Sequence, residues 1–148
     1  MNFSPEKHPK QSFLFFIDDE INELKVSKMK LMISEITDKY NWINGAPKFV
    51  DDCQEFEDGD FLTIGGELEI YSALPPWGDR LPKEVDTIHL NEVKILINYL
   101  EKYSKETDST ISIEIDGTQI GWIENGISDT GITETLLMEW EKILKERE

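Results

Sequence analysis

The stretch from Ile111 to Ile123 constrains the fold more than any other. Ile111, Ile113 and Ile115 alternate with Ser112 and Glu114, Asp116-Gly117 follows, and Thr118, Ile120 and Trp122 come next. A period of two is a strand period, and Asp-Gly accepts the positive backbone angles of a tight hairpin turn. Pairing 115 with 118, 113 with 120 and 111 with 122 puts every large apolar residue of both arms except Ile123 on one face. A lone hairpin is marginal in water, so the rest of the chain must supply more strands and a cover for that face.

The other segments supply both. Residues 13–17 form a continuous apolar run (Phe13, Leu14, Phe15, Phe16, Ile17), as expected of a central strand buried on both faces. Ile21, Leu24, Met29, Met32, Ile33, Ile36 and Tyr40 then recur at mostly three- and four-residue intervals, the stripe of a helix closed by Asn44-Gly45 and Pro47. Residues 61–73 read as two strands around a three-residue loop, Gly65-Gly66-Glu67, which sets Ile64 opposite Leu68 and Leu62 opposite Ile70. A second helix carries Leu90, Val93, Leu96, Ile97, Leu100 and Tyr103. In the third, Thr133 stands as N-cap, Ile132 and Leu137 as a hydrophobic staple, and the buried stripe runs through Leu136, Trp140, Ile143 and Leu144. The order β-α-β-β-α-β-β-α predicts an α+β fold: an antiparallel-rich sheet of about five strands with three helices, mostly on one side. Residues 1–10 are expected to be a flexible N-terminal arm and residues 11–148 a single domain, a length sufficient for one core.

Charge narrows the function classes. Thirty-one acidic against 15 basic residues give a net charge of −16, which repels nucleic-acid phosphates and anionic headgroups and favours cationic partners. The excess is concentrated at Asp51, Asp52, Glu55, Glu57, Asp58 and Asp60, six acids in ten residues. A cationic partner would relieve their mutual repulsion; the plainer reading is a solvated loop kept for solubility. Just downstream, residues 73–82 (ALPPWGDRLP) are too proline-rich for a helix or central strand and carry Trp77 and Asp79. Trp77 reads either as a binding anchor or as a lid folded over the core. The expected partner-binding set is therefore Asp51, Asp52, Glu55, Glu57, Asp58, Asp60, Trp77 and Asp79.

Catalytic and metal signatures are missing. Cys53, His8 and His89 lie too far apart for a zinc motif, and residues 55–60 lack the alternating ligands and terminal bidentate Glu of a calcium loop. There is no GxSxG, and Cys53, among acids, is expected to be a half-buried, unreactive residue. His89 reads as a hydrogen-bonded structural histidine, and Gly65-Gly66 matches no phosphate-binding loop. The expectation is a non-enzyme with no cofactor and no metal. With no apolar run long enough to span a bilayer, no apolar signal core at the start and a single cysteine, the chain is expected to be cytoplasmic.

The size, the acidic run at 51–60, the IEIDGTQIGWIENG hairpin and the C-terminal helix ending LLMEWEKIL together resemble the small, acidic, cysteine-poor immunity proteins of bacterial toxin delivery systems, including the contact-dependent growth inhibition type. That class has diverse folds and no shared residue motif. The resemblance implies a tight complex with a cognate toxin domain, often a basic nuclease, whose active site is covered or whose substrate is mimicked. Two rivals stand beside it: an adaptor or DNA-mimicking inhibitor of a nucleic-acid-binding protein, and a small carboxylate-dependent enzyme.

Overall fold

A computed structural model describes residues 8–57, 59–72 and 80–147. Along the chain run β1 (Lys10–Ile17), α1 (Glu23–Lys39), β2 (Lys48–Phe56), β3 (Gly59–Tyr71), α2 (Lys83–Thr107), β4 (Thr110–Ile115), β5 (Thr118–Glu124), the two-residue β6 (Ile127–Ser128), a π-helical stretch (Gly131–Met138) and α3 (Glu139–Glu146). All strand pairs are antiparallel, in the order β2-β3-β1-β4-β5-β6. The α+β class and the order of elements follow the sequence reading, with β6 as a sixth strand. Its turn, Asn125-Gly126, has φ of 56° and 79°, the same left-handed pair that Asp116 and Gly117 adopt at 50° and 82°. The arm expected over residues 1–10 lies mostly outside the described residues. Its last part is engaged: His8 Nε2 hydrogen-bonds to Ser72 O at 2.6 Å, Ser72 N donates to Pro9 O at 2.9 Å, and Lys10 opens β1.

β1 lies inside the sheet between β3 and β4, as a central strand should, but it is buried on one face only. Phe13, Phe15 and Ile17 are buried, while Leu14 and Phe16 between them are half-buried. The reason is that the helices gather on one side. Phe13, Phe15, Ile17, Ile64, Leu68, Ile70, Ile111, Ile113 and Ile123 form one core with Met29, Met32, Ile33 and Ile36 of α1, with Val93, Leu96, Ile97, Leu100 and Tyr103 of α2, and with Ile132. Leu14, Phe16, Val50 and Trp122 take no part in it.

Two strand assignments need correction. The loop expected at Gly65-Gly66-Glu67 does not exist: β3 runs straight through both glycines, and its hairpin partner is β2, from Lys48 opposite Glu67 to Phe56 opposite Gly59. The glycines serve close approach rather than a turn. A Cβ at Gly65 would fall on the main chain of Phe15, and one at Gly66 would fall on the Phe15 ring and against Ile33 Cδ1. The Phe15 ring therefore occupies the space a side chain at Gly66 would need, directly across the strand pair. The second correction concerns β4 and β5. Ile115 pairs with Thr118 as expected, but a bulge then shifts the register so that Ile113 meets Gly121 and Ile111 meets Ile123. Ile123 is thereby fully buried, and Trp122, expected on the core face, is 43% exposed on the opposite one.

The helices are tied by capping and buried polar pairs. Asn22 Oδ1 accepts from Lys25 N at 2.9 Å and caps α1. Lys25 is buried with its ammonium on Asp19 Oδ1 and Glu20 O, whereas Leu24, expected in the buried stripe, is 62% exposed one position away. Thr133 is not the cap of the C-terminal helical segment. Asp129 is: its Oδ1 accepts from Ile132 N at 3.2 Å and its Oδ2 from Trp122 N at 3.0 Å, joining β5 to the π-helical stretch. At the far end Asp86 takes Trp140 Nε1 at 2.8 Å and Arg147 Nη1 at 3.1 Å, while Arg147 Nη2 donates to Leu81 O. Tyr103 donates its hydroxyl to Lys25 O at 2.6 Å, linking α2 to α1.

Two outcomes are expected. Gly65→Ala, which sets a Cβ against main chain, should lose stability at the top of the ~1–3 kcal/mol overpacking range or beyond, and Gly66→Ala, which meets a ring, should lose less; urea unfolding of both variants ranks them. Burial raises the Tyr103 hydroxyl to about 12. An unfolded tyrosine ionises near about 10, so the stability held by this proton is complete below that pH and is lost as pH climbs through the folded value. Unfolding measured between pH 10 and 12 should show a decline that Tyr103→Phe lacks.

Candidate functional site

The acidic run lies along the outer part of β2 and the first residues of β3 in a β-hairpin. β1 pairs with β3 only as far as Phe16 opposite Gly65, whereas β2 and β3 stay paired for six further positions, from Asp51 opposite Ile64 to Phe56 opposite Gly59. At roughly 3.4 Å per residue this leaves a two-stranded ribbon on the order of 20 Å long beyond the last β1–β3 pair. Asp51 and Asp52 are exposed on it, Glu55 stands opposite Asp60 in the register, and Glu57 is exposed at the turn. Because neighbouring strand residues face opposite ways, Asp51 shares the face of Ile64 and Asp52 that of Thr63. Negative charge therefore lies on both faces of the ribbon rather than on one patch. Cys53, expected half-buried, is exposed, because nothing covers β2 at this level among the described residues. Asp58, Trp77 and Asp79 lie outside the described residues.

β2 is also an edge strand, with one row of backbone donors and acceptors unpaired within the sheet. Carboxylates along such an edge discourage pairing with another acidic edge while leaving the strand attractive to a cationic surface. Among the described residues no group of three or more His, Cys, Asp or Glu is arranged to hold a metal ion, and no helix is long and apolar enough to cross a membrane.

Among the described residues the titratable groups of the interior are engaged structurally. His89 is fully buried: its Nε2 accepts from Tyr71 N at 3.1 Å, so Nδ1 carries the proton and donates to Glu92 Oε1 at 3.1 Å. The other Glu92 oxygen accepts from Ile43 N at 2.8 Å. One buried pair thus ties α2 to the end of β3 and to the connection after α1. Asp86 with Arg147 and Lys25 with Asp19 are used in the same way, and among the described residues no buried side-chain nitrogen or oxygen lacks a hydrogen-bond partner. On the surface, Lys94 pairs with Glu141 and holds that carboxyl below its ordinary range through a hydrogen bond and charge, joining α2 to α3. None of these groups points a spare donor or base into an open site.

The sequence reading passed over two residues that shape the surface. An unbroken hairpin register sets Trp122 on the core face, and the bulge turns it to the opposite one. Asp129 was overlooked although an Asp three residues before Ile132 is itself a capping signal. Comparison with known proteins finds no matching family model, no matching curated protein and no matching solved structure.

Glu92→Ala would orphan the fully buried His89 Nδ1–H, at about 1–3 kcal/mol, and leave the Ile43 N–H, on an exposed residue, to water. Chemical denaturation should show a destabilisation in that range, and Glu92→Gln, which retains an acceptor, a smaller one.

Proposed function

We propose that this protein is an acidic, protein-binding inhibitor: an immunity protein that neutralises a basic toxin domain, such as a nuclease, by covering its active site. The observation that carries the reading is the ribbon that β2 and β3 form beyond the last β1–β3 pair, with Asp51, Asp52 and Glu57 exposed on it. A projecting, doubly faced strip of carboxylates reaches into a cleft more readily than a flat patch does, and a nuclease cleft is lined with cations that bind phosphate. Its carboxylates take the place of those phosphates.

The remaining features support it. A net charge of −16 steers a basic partner once it comes within the ~8–10 Å screening length at moderate salt, and from further away at low salt, and accelerates encounter. The interior polar groups are consumed in holding the fold, which suits a protein whose work is done by its surface. The partner is a cationic protein, with neither nucleic acid nor membrane bound directly, and the action takes place in the cytoplasm without a cofactor.

The test begins with the tagged protein recovered from its host after nuclease treatment, where one basic protein is expected at stoichiometric amount. Asp51→Asn, Asp52→Asn, Glu55→Gln and Glu57→Gln combined should slow its association by about tenfold or more at low salt and flatten the salt dependence, with the unfolding midpoint little changed. An association rate equal to that of the native protein would sink the ribbon as the docking element.

A further inference from the structure

The face of the sheet away from the helices carries a row of residues that crosses five strands, three of them apolar (Val50, Phe16 and Trp122). Val50 stands opposite Gly65, Gly65 opposite Phe16, Phe16 opposite Ser112, and Ser112 opposite Trp122. Residues opposed in antiparallel pairs share a face, so these five lie in one line. Four inter-strand steps of about 4.8 Å place Val50 roughly 19 Å from Trp122. The line sits at the level where the ribbon leaves the sheet, since Gly65 and Phe16 are the last β3–β1 pair. Ribbon and tryptophan therefore belong to one end of one face.

Trp122 has the marks of an anchor. It is 43% exposed, and neighbouring Ile127 is 70% exposed. Both line a hollow with Thr110, Glu124, Asn125 and Asp129. The indole is already held, its Nε1 donating to Asp18 Oδ2 at 2.9 Å and its backbone N to Asp129 Oδ2 at 3.0 Å, so docking costs little further side-chain freedom. Asp18 and Glu124 are exposed carboxylates beside it, and Asp52 stands at the other end of the row.

Charge decides what covers this face. A second copy would bring another −16 against the same carboxylates, and lipid or nucleic acid would bring phosphates. We infer that the helix-free face is the second half of the docking surface for the cationic protein, with Trp122 receiving an arginine of that partner across its ring and Asp18 and Glu124 supplying the counter-charge. This rests on the inhibitor reading above and names where, and through which chemistry, the partner is gripped. Arginine suits the site better than lysine because its planar, weakly hydrated guanidinium stacks on an indole while donating to carboxylates at its edge.

Nona-arginine and nona-lysine peptides serve as probes. The 15N-labelled full chain is titrated with each at low salt, and binding is measured for the native protein, Trp122→Ala and Ile127→Lys. The second variant changes a side chain that is 70% exposed and carries no core packing. Expected are shifts of the Trp122 indole N–H together with the Asp51 and Asp52 amides, and several-fold tighter binding of the arginine peptide. Trp122→Ala should lose about tenfold and abolish that preference, and Ile127→Lys should also weaken binding. If the ribbon amides shift while the indole does not and both variants bind like the native chain, the inference is overturned and the inhibitor reading survives. If neither region responds to either peptide, both fall.

Discussion

The close approach of β3 to β1 at Gly65 and Gly66 is the contact on which the other parts of this molecule depend. Without side chains there, the main chain of β3 lies against Phe15, and the Phe15 ring spreads over Gly66 to meet Ile33 of α1. One aromatic ring thus bridges strand pairing and helix packing. The same absence of side chains lets β3 continue as a single strand of 13 residues, long enough to be paired with β1 at one end and to carry β2 past the edge of the core at the other. A turn at the glycines would have ended β3 inside the sheet, and the acidic residues would have formed a loop.

The distribution of charge follows a simple division. Inside, among the described residues, each buried ionisable group has a partner: Lys25 with Asp19, Asp86 with Arg147 and Trp140, Glu92 with His89 and Ile43 N. Burying an unpaired charge costs several kcal/mol, at least about 3, so these pairs are structural obligations; those of Asp86 and Glu92 fasten α2 to its neighbours, and that of Lys25 holds α1 to the segment before it. Outside, the acidic excess stands on an edge strand and its hairpin, where solvent screens it and a cationic surface can meet it. The large negative charge is therefore compatible with a stable core, since the two sets of groups occupy different regions.

The site was only partly legible in advance. Asp51, Asp52, Glu55 and Glu57 could be named because charge density is a property of composition, and composition survives folding. Their separation onto two faces was not legible, because it depends on their lying in strands rather than a loop. Trp122 was misplaced for a related reason. The Asp116-Gly117 turn fixes the pairing of Ile115 with Thr118, but the extra residue two positions later moves every side chain beyond it to the other face. A bulge has no composition of its own, and its outcome is settled by whether Ile123 or Trp122 fits against the core.

Local patterns by themselves determined the class of the fold, the order of its elements, the stripe of α2 and the tight turn at Asp116-Gly117, because periodicity and turn chemistry act over a few residues. Tertiary structure alone decided that Gly65-Gly66 is a crossing rather than a turn and that β1 is covered on one side. It also decided that the exposed tryptophan is Trp122. Each of these depends on which distant segment arrives against a given residue, and nothing in the neighbouring chain carries that information.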